Sequence, residues 1–333
     1  MTTIDALRLP SRLDATAPAY KDWLHLNVLD HASGCVGLVN VSLHGAPDDP
    51  ASRAVGVALI NSPDGWIGNA EVAGIGDAAL GPASIALERV AIAVDSARGE
   101  IAASADLPDD ALTVELTAST AAAPVFAEQR LPLGSGWISW LGIPRVMPHG
   151  TARVGKRLLD LEGASAYHDH NWGRWHWGDD FGWEWGCFLP PHPAPAFVLS
   201  RVTDRSHRRV EGPLVVVAYA SNRRRWFVGE TVQLDYSGTL AAAPRRVPGA
   251  MAALHQDRAA PRVPARLEVR ADDGIDRVEL DFAARACAQL IAADPAERGY
   301  GFIHELVGEF AFACRLGDET SEGRGLAVVE YVD

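Results

Sequence analysis

Residues 167–187 read YHDHNWGRWHWGDDFGWEWGC and hold five of the ten tryptophans in a chain of 333 residues. The same stretch carries the carboxyl groups of Asp169 and Glu184 among three histidines. An indole ring is costly to expose, and its N–H needs a hydrogen-bond partner when it is buried. Indoles gathered around carboxyls and imidazoles therefore predict an aromatic pocket with an acid in its wall, and we place the function here.

The segments on either side of this stretch predict the fold class. They are short, rich in Val, Ile, Leu and Ala, and interrupted by Gly, Pro, Asp or Asn at spacings of about 8–12 residues, which is typical of an all-β sandwich or barrel. Predicted strands include Cys35–His44, Ala164–Asn171, Trp183–Leu189, Ala196–Thr203 and Phe302–Cys314. The alanine-rich segment Ala283–Ala292 fits either a helix or the end of a strand.

The length suits two domains of ordinary size. We place the division after residue 175, which gives an N-terminal domain 1–175 that ends in the YHDHNWG strand and a C-terminal domain 176–333. The four cysteines, at 35, 187, 287 and 314, form no CxxC pair. Scattered cysteines of this kind predict reduced packing residues.

Charge and hydropathy exclude several classes of partner. The formal net charge of −13 leaves no basic face for a nucleic acid. No run of about 18 apolar residues predicts a membrane helix, and no apolar leader opens the chain. We expect a cytoplasmic protein without an integral membrane segment, and transient membrane contact to collect an apolar substrate stays open.

Strand alternation sorts the side chains of the motif onto two faces. One face carries Tyr167, Asp169 and Asn171, and the other carries His168, His170 and Trp172. Farther along, Trp183 and Trp185 project together, and Trp175 pairs with Trp177. A small barrel lumen lined in this way would hold an extended apolar ligand with an acid near its reacting carbon.

This arrangement suits the protonation of an alkene. An exposed aspartate has a pKa of about 3.9, but burial among indoles disfavours its charged form, so Asp169 could remain protonated at rest. Indole faces would stabilise the resulting carbocation by roughly 2 kcal/mol or more per contact. Capture of the cation by water gives an alcohol, and capture by an internal alkene gives a ring.

Two other interpretations of the same residues stay open. A tryptophan cluster is also typical of a packed core, without any ligand. His168 and His170 have HxH spacing, and His176 with Asp179 could complete a metal site. The Asp between the two histidines points the other way in a strand, so we predict neither a metal nor a cofactor.

With these residues in view, the chain resembles the carotenoid 1,2-hydratase (hydroxyneurosporene synthase) superfamily, which includes kievitone hydratase-like proteins and lipocalin-type Diels–Alderases and cyclases. Ala166–Gly173 (AYHDHNWG) is similar to the family's Y-x-D-H-N-x-G core, and GWEWG at Gly182–Gly186 is similar to its W-x-W segment. Lys21–Asn27 (KDWLHLN) resembles the family's N-terminal strand, and Gly323–Tyr331 (GRGLAVVEY) its closing strand.

The resemblance implies two lipocalin-like antiparallel β-barrel or sandwich domains. It implies that Asp169 is the proton donor and that Tyr167 assists it. A His–x–Trp pair of the family falls at Ile138 and Trp140, so the expected histidine is absent. This departure leaves room for a cyclisation, in which water must be kept out.

Together these observations predict a cofactor-independent hydratase or cyclase for an apolar polyene, terpenoid or polyketide-like substrate. Asp169 is the expected acid, and Tyr167 and His170 are expected to tune it. The expected substrate-binding residues are Trp140, His168, Asn171, Trp172, Trp175, Trp177, Trp183 and Trp185. The alternatives are a pericyclase of natural-product biosynthesis and a non-catalytic carrier of an apolar metabolite.

Overall fold

The computed structural model describes residues 5–14, 16, 19–212, 215–220, 223–247, 263–293 and 300–333, without the side chains of 126–129, 293 and 300. The chain divides into two compact units, which consist of the described residues up to Asp179 and from Asp180 onward. Each unit is a curled, nearly closed antiparallel sheet, and the predicted all-β chain with two lipocalin-like domains is confirmed.

The first unit is a thirteen-stranded sheet. Its strands are β1 (Tyr20–Asp30), β2 (Cys35–His44), β3 (Arg53–Ser62), β4 (Gly65–Gly74), β5 (Ala79–Gly81), β6 (Ser84–Ala86), β7 (Val90–Asp95), β8 (Glu100–Leu107), β9 (Leu112–Thr120), β10 (Val125–Leu133), β11 (Gly136–Val154), β12 (Arg157–Asp160) and β13 (Ser165–Arg174). Their main order is β4-β3-β2-β1-β13-β11-β9-β8-β7-β6-β5. The last strand in sequence therefore lies in the middle of the sheet, beside the first.

The second unit is a ten-stranded sheet with the order β17-β16-β15-β14-β23-β22-β21-β20-β18. Its strands are β14 (Gly182–Leu189), β15 (Ala196–Thr203), β16 (Val215–Ala220), β17 (Arg223–Val228), β18 (Val232–Ser237), β19 (Arg245–Val247), β20 (Arg266–Asp272), β21 (Arg277–Ala293), β22 (Tyr300–Leu316) and β23 (Glu319–Val332). Short β19 pairs with β21 in parallel, and this pair departs from the antiparallel prediction.

The alanine-rich segment forms the second half of strand β21 and is not a helix. It is held by a continuous antiparallel pairing with β22, interrupted by one bulge between Ala284 and Ala286. Alanine has the highest intrinsic helix propensity, but propensity is a weak determinant of structure, and pairing along a neighbouring strand overrides it. Small side chains also suit a strand that has neighbours on both sides.

Two further features of the described residues are the state of the cysteines and the character of the helices. All four cysteines are buried and free. In the part of the chain that the structure describes, no helix has the length and apolar character needed to cross a bilayer.

Candidate functional site in the first unit

The YHDHNWG motif forms β13, which pairs with β1 on one side and with β11 on the other. Asp169 is directly opposite His25 of β1 and Gly142 of β11. His170 is opposite Leu24 and Leu141. The motif therefore has two strand neighbours, and its odd-numbered and even-numbered residues face opposite sides of the sheet.

The even-numbered face looks into the interior of the curled sheet. Leu24 is paired with Val41 of β2, and Val41 is paired with Gly56 of β3, so all three residues share a face. A Cβ added to Gly56 would lie 2.8 Å from Val90 of β7. Since β7 lies far from β3 in the strand order, that approach identifies the inside of the curl. His168, His170 and Trp172 thus point inward.

The inward histidines are paired with aspartates. His170 Nε2 lies 2.8 Å from Asp22 Oδ1, and His168 Nε2 lies 3.3 Å from Asp5 Oδ1. The other ring nitrogen of His168 donates to the backbone carbonyl of His25 at 2.8 Å. These bonds satisfy buried polar groups that would otherwise destabilise the fold.

Two expectations are corrected by this geometry. Asp169 lies on the outward face of the sheet, so the barrel lumen is not the chamber that holds it. His170 points inward to Asp22 and cannot tune Asp169 by direct contact. Both corrections follow from the register, because one residue along a strand reverses the direction of the side chain.

The outward face of β13 is nevertheless buried. Asp169 is 6% exposed, and Tyr167 is fully buried. Asn171 donates from its amide nitrogen to Asp169 Oδ1 at 2.6 Å, which fixes the orientation of the carboxyl group. A buried carboxyl beside a phenol and an amide is the arrangement that the motif predicts.

A histidine that sequence analysis did not single out belongs to this face. His25 Nε2 donates to Asn27 Oδ1 at 3.0 Å, and Nδ1 accepts from the amide of Asn40 at 3.3 Å. Burial lowers the pKa of His25 to about 4, although the bond to Asn27 opposes that shift. The ring is therefore neutral near pH 7 and offers Asp169 a polar but uncharged neighbour. The only sequence signal for His25 was its place in the KDWLHLN segment.

Gly142 makes room for two of the predicted site residues. An added Cβ at this position would lie 2.7 Å from the hydroxyl of Tyr167 and 2.7 Å from the ring of Trp140. Both groups therefore reach over the backbone directly opposite Asp169. The phenol, the indole and the carboxyl group are thereby brought together on one face.

We expect the substitution Gly142→Ala to lower the free energy of unfolding by about 1–3 kcal/mol, because both rings are buried and must move. Urea unfolding of the two proteins measures this difference. Gly76→Ala is the matched control, since an added Cβ there meets no atom within 4 Å. Equal stability of Gly142→Ala and the wild type would contradict the close packing.

The three other predicted tryptophans of the first unit, Trp172, Trp175 and Trp177, lie close to cations. The guanidinium of Arg8 lies 3.9 Å from the ring centre of Trp172. Trp175 and Trp177 meet edge to face at 5.8 Å, and the buried ammonium of Lys21 lies over both rings. Lys21 also donates to the carbonyl of Trp175 at 2.6 Å. The substrate-binding role of these three tryptophans stays a prediction.

The residues of the metal alternative are dispersed. His168 and His170 are turned inward to their aspartates, while Asp179 accepts from both the backbone and the hydroxyl of Ser135. Among the residues with described placement, no three His, Cys, Asp or Glu side chains are grouped closely enough to hold a metal ion.

Candidate functional site in the second unit

The GWEWG segment forms β14 of the second unit. Trp183 and Trp185 lie on one face of this strand, opposite Glu184, as alternation predicts. Trp185 is paired with Glu330 of β23, which is paired in turn with Glu305 of β22. Trp183 Nε1 donates to Glu330 Oε2 at 2.7 Å. Two carboxyl groups thus lie side by side next to two indoles.

Burial raises the pKa of Glu330 from 4.5 to about 7, and hydrogen bonds from Trp183 and Glu305 oppose only part of that shift. A hydrogen bond between two carboxyl groups requires a proton on one of them. The folded protein therefore retains a proton here at pH values where the unfolded chain has released it.

We expect the stability of the wild type to fall as the pH rises from 4.5 to about 7, since ionisation then disfavours the folded state. Glu330→Gln keeps an acceptor for Trp183 and removes the ionisation. This variant should be more stable than the wild type by roughly 3 kcal/mol at pH 8 and equal to it at pH 4. Urea unfolding across this range tests the difference, with the exposed Glu322→Gln as control. Parallel pH profiles for the wild type and Glu330→Gln would refute it.

No family model matches the chain, and no curated protein matches it. Solved structures do share its fold. A proposed AttH protein from Nitrosomonas europaea superposes with a TM-score of 0.67 at 14% identity, over 93% of this chain and 92% of that one.

Two further structures cover nearly all of the chain. Kievitone hydratase from Nectria haematococca gives a TM-score of 0.61 at 13% identity, over 99% of this chain and 95% of that one. CghA with Sch210972 gives 0.63 at 12% identity, over 95% and 89%. At these identities the likeness shows the fold alone. The chain has the lipocalin-like fold that kievitone hydratase and CghA share.

Proposed function

We propose that this protein is a cofactor-independent hydratase or cyclase that protonates an alkene of an apolar polyene, terpenoid or polyketide-like substrate. The observation that carries the proposal is the burial of the Asp169 carboxyl group beside the hydroxyl of Tyr167 and the ring of Trp140. Kievitone hydratase, a solved protein with this fold, is a hydratase by name and supports the reaction class.

The proposed reaction begins with proton transfer from the Asp169 carboxyl group to one alkene carbon. The neighbouring carbon becomes a cation, and the electron-rich face of Trp140 stabilises it. In a hydration, water forms a C–O bond to the cation and returns a proton to the Asp169 carboxylate. In a cyclisation, an internal alkene forms the C–C bond and becomes the new cation, which loses a proton from an adjacent C–H to the Asp169 carboxylate.

Other residues of the outward face position the acid. Asn171 holds one carboxyl oxygen through its amide. Neutral His25, with Asn27 and Asn40 bound to its ring nitrogens, adds polarity without a positive charge that would favour ionisation of Asp169. The apolar Ile138, where the resembling family has a histidine, favours cyclisation over hydration because it offers water no hydrogen bond.

Solvent isotopes distinguish the candidate reactions. A panel of acyclic isoprenoid and polyketide-derived polyenes is incubated with the protein in D₂O or in H₂¹⁸O, and products are analysed by mass spectrometry. Alkene protonation places deuterium on carbon, and hydration adds ¹⁸O as well.

Each result has one interpretation. Deuterium without ¹⁸O identifies the cyclase, and both labels identify the hydratase. A product with neither label would overturn the acid mechanism and favour a pericyclase. Tight binding of a polyene, measured by tryptophan fluorescence, without any product would favour the carrier.

A further inference from the structure

A row of polar side chains crosses the second unit on the inner face of its sheet. Successive strands pair Arg201 with Glu184, Glu184 with Tyr331, Tyr331 with His304, and His304 with Gln289. Leu199 and Val329, two residues before Arg201 and Tyr331, belong to the apolar core of this unit. Since residues two apart share a face, the polar row points into the same interior, at one end of the core.

Glu184 is the charged centre of this row. Its buried carboxylate accepts from Arg201 Nε at 2.8 Å and from Arg201 Nη2 at 2.6 Å. A third bond comes from His207 Nδ1 at 2.8 Å. Burial by itself would raise the pKa of Glu184, but these bonds and charges outweigh it and lower the pKa. Glutamate and arginine thus cancel each other's charge inside the unit.

His207 reaches this carboxylate from the turn between β15 and β16. Its backbone has a φ of 57°, a left-handed conformation that few residues other than glycine adopt. Its ring stacks on Tyr331 with 3.8 Å between ring centres, and its side chain is 7% exposed. A strained residue held inward by packing and a charged hydrogen bond is typical of a functional position.

Two buried polar atoms on rings that contact Tyr331 lack a hydrogen-bond partner in the part of the chain that the structure describes. His207 Nε2 and the hydroxyl of Tyr236 have no hydrogen-bond partner among the described residues. Tyr236 packs edge to face on the ring of Tyr331 at 5.7 Å, so both atoms belong to groups that share one aromatic neighbour. By contrast, His304 bonds the carbonyl of Tyr331 and the amide of Gln289, and both its nitrogens are used.

We propose that the inner end of the second unit is a binding site for a neutral compound with a hydroxyl group on an apolar ring. His207 Nδ1 donates to Glu184, and in the neutral ring Nε2 is then an acceptor that an O–H donor would satisfy. Tyr236 offers a hydroxyl that can donate to another oxygen and an aromatic ring that an apolar group can pack against. A charged ligand is disfavoured, since Glu184 and Arg201 already balance each other. This site is independent of Asp169.

The test uses full-length protein labelled with ¹⁵N-histidine and benzyl alcohol as the probe. Benzyl methyl ether is the matched control compound, because it keeps the ring and the oxygen but lacks the O–H. The Nε2 signal of His207, assigned by its loss in His207→Gln, is followed by NMR during titration. Tyr236→Phe removes only a hydroxyl that has no hydrogen-bond partner among the described residues, and it is expected to fold normally.

We expect benzyl alcohol to shift the His207 signal saturably, with roughly three- to tenfold weaker binding of the ether, the difference that one hydrogen bond gives. Tyr236→Phe should weaken the alcohol about threefold or more. Asp169→Asn should leave the titration unchanged, which separates this site from the proposed active site. Absence of a saturable shift, equal affinity for the ether, or unchanged affinity in Tyr236→Phe would each overturn the proposal.

Discussion

Replacing Asp169 by Asn is expected to lower kcat/KM by about a thousandfold, a loss within the range found when a general acid is removed. Asn has nearly the same shape and can still accept the hydrogen bond from Asn171, so the fold should persist. It cannot release a proton to carbon. The free energy of unfolding should therefore stay within about 0.5 kcal/mol of the wild type, as for other substitutions that leave packing intact.

Two variants accompany this measurement. Asp64→Asn makes the same chemical change in an exposed turn and should keep full activity. Tyr167→Phe should lower kcat/KM by a smaller factor than Asp169→Asn, because the proposed role of the phenol is to assist the acid and not to replace it. If Asp169→Asn turned over the substrate at the wild-type rate, Asp169 would not be the proton donor.

The second large effect concerns stability. Arg201→Met should lower the free energy of unfolding by about 3–5 kcal/mol, because it leaves the buried Glu184 carboxylate without its two-bond partner. The side chain of Glu184 has an exposed fraction of 0%, so water cannot replace the lost bonds. The double substitution of Glu184→Leu with Arg201→Met should recover much of the loss, since it removes both charges.

Urea unfolding checks this prediction against a matched pair in the same unit. Arg266 also pairs with a carboxylate, that of Asp281, but both side chains are about half exposed. Arg266→Met should therefore cost less than about 1 kcal/mol. Similar losses for Arg201→Met and Arg266→Met would mean that burial does not determine the strength of these pairs.

Much of the fold was accessible from local sequence patterns. Cys35–His44 and Ala196–Thr203 form strands with the predicted bounds, because alternating apolar residues between turn signals are a local property. Strand β1 was different. Its sequence YKDWLHLNVLD contains five polar residues that are all buried. The strand therefore lacks the alternation between a polar exposed face and an apolar buried face that would predict it from sequence.

The candidate sites likewise combine features that local sequence patterns predict with features that depend on pairing between distant segments. The grouping of Tyr167 with Asp169 required only the alternation within one strand. The place of His25 opposite Asp169 depends on a register between segments about 140 residues apart, which no local pattern specifies. Sequence analysis noted Glu184 only as a carboxyl group within the tryptophan-rich stretch. Its partners Arg201 and His207 come from the next strand and from a left-handed turn, and neither position carries a sequence signal.

The pairing of β1 with β13 also has a consequence for the order in which the chain folds. One edge of β1 meets β2 as soon as both are synthesised, whereas the other must wait for residues 165–174. At ordinary translation rates that wait lasts roughly 10–30 seconds. An open strand edge recruits other nascent chains unless charged residues line it. The charged residues Lys21 and Asp22 are therefore expected to keep β1 from pairing with other nascent chains before β13 has been synthesised.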